Sequence, residues 1–278
     1  IAQSGFASSL IFYDAMLTDV TDDERMDEVS SQGYAWGYIG SCVPFIVCLA
    51  LVLGADKIGL SMESAMAISF AIVAVWWFAM TLPLLKTYKQ RHYVERKPHA
   101  VRDSFARIGK TLVNARKEKK IFLFLIAFFF YIDGVYTIID MATAYGSALG
   151  LDSTGLLLAL LVTQFVAFPS AIIFGKLAKS FKSEKLILVC ISAYLFIAIF
   201  AIFLATQLQF WILAVLVGMF QGGVQALSRS YFAKIIPSEQ AGEYFGLMDI
   251  CGKGAAFLGT TVVGVVTQAT GSMSKGVG

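Results

Sequence analysis

Eight long apolar stretches constrain this chain more than any other feature of its sequence. A helix needs about 20 mostly apolar residues to cross a bilayer, and the first stretch meets that requirement only in part. The stretches are residues 1–17 (A), 30–53 (B), 63–85 (C), 121–145 (D), 154–174 (E), 186–205 (F), 210–236 (G) and 242–267 (H). Because they are continuous rather than alternating, helices are favoured over strands. The sequence therefore predicts an all-α polytopic membrane protein.

The composition agrees with that class. Hydrophobic residues make up 58% of the chain and charged residues 15%, whereas a soluble domain has about 45–50% apolar and about 25% charged residues. The chain begins at Ile1, and no charged segment precedes its first apolar stretch. We therefore expect the sequence to be interior to a longer protein, here a fragment, rather than to start with a signal peptide.

Lysine and arginine predict the orientation of the loops. The loop between C and D, residues 86–120, holds twelve cations and three carboxylates, and the E–F loop holds four lysines. Positive loops mark the cytoplasmic side, so both are predicted to be cytoplasmic in a bacterial inner membrane. Within the long loop, Val101, Phe105, Ile108 and Leu112 share one helical face, which predicts an amphipathic helix on the membrane surface. For these cations we expect membrane lipids as partners, and no nucleic acid.

Two short matches indicate an internal repeat. Residues 13–15 in A resemble residues 231–233 in G, and residues 33–40 in B resemble residues 252–259 in H, at nearly equal spacing. A parallel repeat of this kind predicts twelve helices in two six-helix halves, the major facilitator architecture. About eight of the twelve helices lie in this chain. Residues 1–85 would form the last three helices of the first half, 86–120 the connecting loop and 121–278 five helices of the second half.

Segment D carries two carboxylates within an apolar run. Asp133 and Asp140 are two helical turns apart and share a face with Thr137, while Tyr136 lies beside it. A charge at hydrocarbon depth normally faces a partner or an aqueous cavity. Helical rise places Asp133 near the midplane and Asp140 nearer the outer surface. We predict a substrate or proton site at Asp133, Tyr136 and Thr137 and an outer gate at Asp140; structural ion pairing is the alternative.

Segment G carries a polar stripe, because Gln221, Gln225 and Arg229 follow one another at intervals of four. The two glutamines, with Gln164 of segment E, are predicted to face the solute, and interhelical hydrogen bonding is the alternative. Arg229 lies toward the inner end of G. It is predicted either to take part in a gate or to reach lipid phosphate at the membrane surface.

Three further charged residues are candidates for gating pairs. Asp249 and Lys253 are four residues apart in H, in the order that favours an ion pair. Asp14, near the inner end of A, is predicted to meet Arg229 or another cytoplasmic cation. No metal and no cofactor is expected, since the histidines lie in the polar loop and the cysteines form no C-x-x-C pair. Without a hydrolase or Walker A motif, the chain is not expected to be an enzyme.

Several motifs resemble a known family. They are residues 12–17, 33–40, 131–137, 221–230, 243–246 and 252–253. Over essentially the whole chain they resemble bacterial relatives of the autophagy-related vacuolar amino-acid effluxer, a branch of the major facilitator superfamily. The resemblance implies that A to H are helices four to eleven of a secondary transporter. The E–F loop departs from the superfamily pattern, because Lys179 stands where an acid is usual, which argues against the usual charge-relay gate.

The leading hypothesis is a secondary active transporter of a small polar solute that works by alternating access. Amino-acid efflux, described for the fungal vacuolar members, is the candidate activity, and protons are the candidate coupling ion. Two alternatives stay open. One is a non-transporting membrane receptor or scaffold that retains the fold, and the other is a sugar or nucleoside carrier.

Overall fold

The computed structural model describes residues 2–93 and 100–271, apart from the side chains of residues 2, 3 and 100–106. All regular structure in these ranges is helical. The α-helices are α1 (Ala2–Ala15), α2 (Leu17–Val20), α3 (Met26–Gly54), α4 (Met62–Thr87), α5 (Ala100–Lys117), α6 (Lys119–Ala148), α7 (Ser153–Leu177), α8 (Ser183–Ile202), α9 (Gln207–Ile235) and α10 (Ala241–Thr270). The chain therefore has the all-helical architecture that its apolar stretches predict.

The predicted stretches coincide with α1, α3, α4 and α6 to α10. In the described part of the chain, seven of these helices are long and apolar enough to cross a membrane. The remaining one is α1, which has 14 residues and corresponds to the partial first stretch. The helices extend beyond the apolar runs because their first turns accept polar residues; α3, for example, has Asp27 and Glu28 in its first turn. The chain is a multi-pass integral membrane protein.

Successive spanning helices run in opposite directions. We call the end of the bundle that carries residues 88–93 and α5 the basic end, and the opposite end the far end. Helices that begin at the far end have side-chain caps at Ser61, Asp152 and Thr206. Among the described residues, the spanning helices that begin at the basic end have no side-chain cap. Their first N–H groups must find other partners.

Small residues hold the centre of the bundle together. A methyl group on Gly218 of α9 would lie 2.7 Å from the carbonyl oxygen of Thr163 in α7, and one on Gly222 would lie 2.9 Å from Cβ of Ala171. Gly175 of α7 meets Ser31 of α3 in the same way. Close backbone approach at such positions is how helices associate in lipid. The helices α3, α7 and α9 therefore form one tightly packed junction.

Helix α5 shows which way the predicted amphipathic face points. Its Thr111 and Ala115 are buried, and α5 packs against α6 and α10. Ile108 and Leu112, from the predicted apolar face, are 44% and 58% exposed. Val101 and Phe105, from the same face, lie outside the described side chains. The described part of the apolar face is therefore turned away from the bundle, and its contact with the membrane surface stays a prediction.

Candidate functional site

Asp133 lies halfway along α6 and presses against α10. A methyl group on Gly259 of α10 would overlap both Asp133 Oδ1 and Thr137 Oγ1. These two oxygens are shielded from solvent and have no hydrogen-bond partner of ordinary geometry among the described residues. Burying a carboxylate oxygen without a partner costs free energy, and binding a proton or a cationic group would remove that cost. Among the site residues that the sequence predicts, Asp133 and Thr137 are the ones with buried side-chain oxygens that lack a hydrogen-bond partner in the described part of the chain.

The other predicted residues of α6 have different surroundings. Asp140 is exposed, toward the far end. Tyr136 is half-buried, and its ring lies 3.3 Å from the position a methyl group on Gly252 would take. The two carboxylates of segment D are thus unequal. Asp133 faces a packed helix, whereas Asp140 faces open space.

The three glutamines divide between two places. Gln164 and Gln221 line the same small cavity of about 60 Å³ between α6, α7 and α9. Gln225 instead accepts a hydrogen bond of 2.7 Å from the hydroxyl of Tyr38 in α3. The sequence did not indicate Tyr38 as a site residue, because a tyrosine in an apolar helix is usually a packing residue. Gln225 therefore joins the earlier helices to the later ones.

Arg229 is fully engaged within the bundle. It donates to Asp14 Oδ1 at 3.1 Å and to Ser30 Oγ and the Ser30 carbonyl, each at 2.9 Å. Its guanidinium carbon lies 4.5 Å from the ring centre of Tyr34 and 5.2 Å from that of Tyr13. With 4% exposure it does not reach the membrane surface, which contradicts the lipid-phosphate alternative. We call these five residues the Arg229 cluster; its role in gating stays a prediction.

A second cluster centres on Asp27, which the sequence did not single out. Its carboxylate accepts from Ser183 at 2.9 Å, from Ser230 at 2.6 Å and from the ammonium group of Lys234. Asp27 begins α3, whereas its partners come from α8 and α9. We call these four residues the Asp27 cluster. The spacing of Ser230 and Lys234, one turn apart in α9, was the available signal, but it does not name the partner.

The loop between α7 and α8 is also joined to α3. Lys179 Nζ lies 3.1 Å from Glu28 Oε2. The sequence predicted that Lys179, in place of the usual acid, would weaken a charge-relay gate at this loop. In the structure the loop supplies the base of this ion pair, and α3 supplies the acid. Asp249 and Lys253 of α10 pair with each other, as their spacing indicated.

The connection between α4 and α6 is fastened at two points. Asp19 accepts hydrogen bonds from the Tyr88 hydroxyl, from the backbone N–H groups of Arg91 and His92, and from the His92 ring. Burial opposes ionisation of Asp19, but these donors outweigh it and hold the pKa of its carboxyl below its usual range. Glu243 of α10 accepts from Arg107 and Thr111 of α5. A cavity of about 780 Å³ lies between the two points.

These features define a class of protein: a polytopic helical membrane protein of the major facilitator type, in which charged clusters join α1 and α3 to α8 and α9 at one end. Comparison with known proteins gives the family. The sequence model of the family described as "Vacuole effluxer Atg22 like" matches residues 14–277. The chain belongs to this family.

Individual relatives agree with the family. The chain is 47% identical, over its whole length, to the uncharacterized MFS-type transporter YxiO of Bacillus subtilis, of which it covers 65%. It is 24% identical over 88% of its length to autophagy-related protein 22-2 of Aspergillus clavatus, of which it covers 44%. The chain thus spans less than two thirds of the length of these relatives. They are named as transporters or autophagy-related proteins, not as enzymes.

Proposed function

We propose that the protein is a secondary active transporter that moves a small polar solute by alternating access. One observation carries this proposal. The Arg229 and Asp27 clusters tie α1 and α3 to α8 and α9, and both lie at the basic end. A bundle held shut at one end by ionic contacts has the arrangement that alternating access needs, because such contacts can break and re-form.

The proposed division into halves is the one that the internal repeat of the sequence predicts. Residues 1–85 and 121–278 would be the two moving parts, and 86–120 their connection. The basic end would face the cytoplasm of a bacterial inner membrane, since positive loops favour that side. In this state the solute site would be closed to the cytoplasm by the two clusters. The Tyr38–Gln225 hydrogen bond would lie just beyond them, toward the far end.

The solute site is proposed around Asp133. Its unpartnered oxygen suits a proton or an ammonium group, with the Thr137 hydroxyl and Tyr136 nearby. In this conformation the amides of Gln164 and Gln221 line a separate cavity and Gln225 is bonded to Tyr38, so these amides would bind the polar groups of the solute only in another state of the cycle. The family description as an effluxer and the need of Asp133 for a cation make a small amino acid, carried outward, the first solute to test.

Flux measurements test this proposal. The full-length protein is reconstituted in liposomes with a pH gradient, and uptake of labelled amino acids is followed for the wild type and for Asp133→Asn. Asp133→Asn would lose a charged hydrogen bond to the solute ammonium group, worth about 1.5–3 kcal/mol. The pH-dependent flux should therefore fall by about tenfold to a hundredfold. Asp56→Asn, at an exposed position beyond α3, is the matched control and should transport normally.

Two results would count against the proposal. Unchanged pH dependence in Asp133→Asn would remove the proton role of this carboxylate. Absence of flux of any tested amino acid by the wild type, in a preparation that is folded and correctly inserted, would leave the receptor or scaffold hypothesis as the better one.

Asp140→Asn should retain most of the flux, because its side chain is exposed and lies about two helical turns beyond Asp133.

A further inference from the structure

A second cavity at the basic end is lined by lysines. It has a volume of about 520 Å³ and lies between the α7–α8 loop, the end of α9 and the beginning of α6. The lysines that line it are Lys120, Lys179, Lys182 and Lys234. Two carboxylates, Asp27 and Glu184, line it as well. We call this cavity the lysine groove.

Its positive charge is only partly neutralised. Lys234 is paired with Asp27, and Lys179 with Glu28 outside the groove. Within the described part of the chain, Lys120 and Lys182 have no carboxylate within ion-pair distance. The ammonium group of Lys120 lies 5.7 Å from the ring centre of Tyr231, which keeps it at the groove. Two ammonium groups are therefore available to an anion that enters.

The groove lies where lipid headgroups would be. It opens at the end of α7 and the beginning of α8, two helices that are long and apolar enough to span a membrane. Phe181 stands between Lys179 and Lys182 in this loop and is 55% exposed. An exposed aromatic ring among lysines is typical of a segment that rests in the membrane interface.

We propose that the lysine groove binds the phosphate of an anionic phospholipid headgroup, with Phe181 in the upper acyl region. Charge complementarity selects an anion, and the position of the groove and of Phe181 selects a lipid over a free phosphate. The site does not depend on the proposed transport activity. It does contact the Asp27 cluster, because Lys234 lines the groove and also binds Asp27. A phosphate in the groove competes for Lys234 and loosens the basic end.

Lipid binding by native mass spectrometry tests the site. Phosphatidylglycerol is titrated onto the purified full-length protein, with phosphatidylcholine and inorganic phosphate as separate arms. Lys120→Gln combined with Lys182→Gln should weaken phosphatidylglycerol binding by at least about tenfold, since each substitution removes a charge-assisted contact with the phosphate. Phe181→Ser should weaken lipid binding as well. Melting temperatures without lipid verify that each variant is folded.

The matched control is Lys176→Gln combined with Lys185→Gln, which removes two exposed lysines of the same region that do not line the groove. This control should bind phosphatidylglycerol within about twofold of the wild type, because exposed lysines outside the groove make only weak contacts with the lipid. Equal losses in the two double variants would overturn the proposal in favour of diffuse attraction. Binding of phosphatidylcholine as tight as that of phosphatidylglycerol would overturn it too. So would inorganic phosphate that displaces the lipid at equal concentration.

Discussion

At the scale of single residues, the geometry around Asp133 depends on a glycine. Gly259 lets α10 approach α6 so closely that Asp133 and Thr137 touch its backbone. The sequence predicted Asp133 from the cost of a charge in an apolar helix. It did not predict Gly259, because glycine in a spanning helix is common and spacing along the chain does not identify its partner helix. The position of the Asp133 carboxylate therefore depends on the absence of a side chain at residue 259.

Gly259→Ala is therefore expected to weaken the packing of α10 against Asp133 and Thr137. The added methyl group would overlap two side-chain oxygens, one of them on the stiff, branched Thr137, and overpacking of this kind costs about 1–3 kcal/mol. The melting temperature of the purified protein should fall, and the pH dependence of flux should shift because Asp133 is displaced. Gly264→Ala on the same helix is the control.

Gly264 has open space where a methyl group would lie, with no neighbouring atom of the described residues within 4 Å, so alanine there fits freely. Gly264→Ala should leave stability unchanged or raise it slightly, by up to about 1 kcal/mol from helix propensity. If the two alanine variants melt alike, Asp133 and Thr137 are not held against α10 in solution. That result would also weaken the case for an unsatisfied carboxylate at this position.

At the scale of helices, α3 is the element whose polar residues bind the later helices. Its first two turns supply Asp27, Glu28 and Ser30 to partners in the α7–α8 loop, α8 and α9, and Tyr38 follows further along. Apolar run length predicted this helix and its neighbours well, since crossing a membrane dictates length and composition. The pairing of its polar residues was not predictable, because several acids and bases at one end offer many combinations. Close packing, as at Gly175 of α7 against Ser31 of α3, selects the pairs that form.

The Asp27 cluster is expected to contribute most to closure of the basic end. Asp27→Ala removes the acceptor that Lys234 and Ser183 share with Ser230, and breaking such a buried ion pair costs about 3–5 kcal/mol. Because Lys234 keeps some contact with solvent, the lower end of that range is expected. Hydrogen exchange should become faster at the beginnings of α3 and α8.

Two comparisons make that expectation specific. Asp23→Ala changes an exposed acid at the same end, so it should leave hydrogen exchange unaltered. The reversed pair Asp27→Lys with Lys234→Asp should recover part of the protection, because the attraction is restored between the same two helices. Failure of Asp27→Ala to accelerate exchange would mean that the Arg229 cluster alone holds this end shut.

At the scale of the whole molecule, the connection from α4 to α6 acts as a strap. Asp19 fastens its beginning to α2, and Glu243 fastens α5 to α10. The sequence predicted a basic loop with an amphipathic helix, because charge and periodicity are local properties. It did not predict the two anchoring acids, which lie far from the loop in the chain. The connection is thus anchored to α2 near its beginning and, through α5, to α10.

The strap is expected to stay fastened at neutral pH and to release only in acid. The pKa of Asp19 is lowered in the folded protein, so its stabilisation is complete above its unfolded value of about 3.9 and is lost as the pH falls through the lower folded value. Hydrogen exchange at the N–H groups of Arg91 and His92 should therefore be slow and unchanged from pH 7 to pH 5, after correction for the intrinsic rate. Asp19→Ala, which leaves four donors without an acceptor, should accelerate it at every pH, whereas Asp22→Ala, at an exposed position, should not. Release of the wild-type strap near pH 6 would show that a group other than Asp19 controls it.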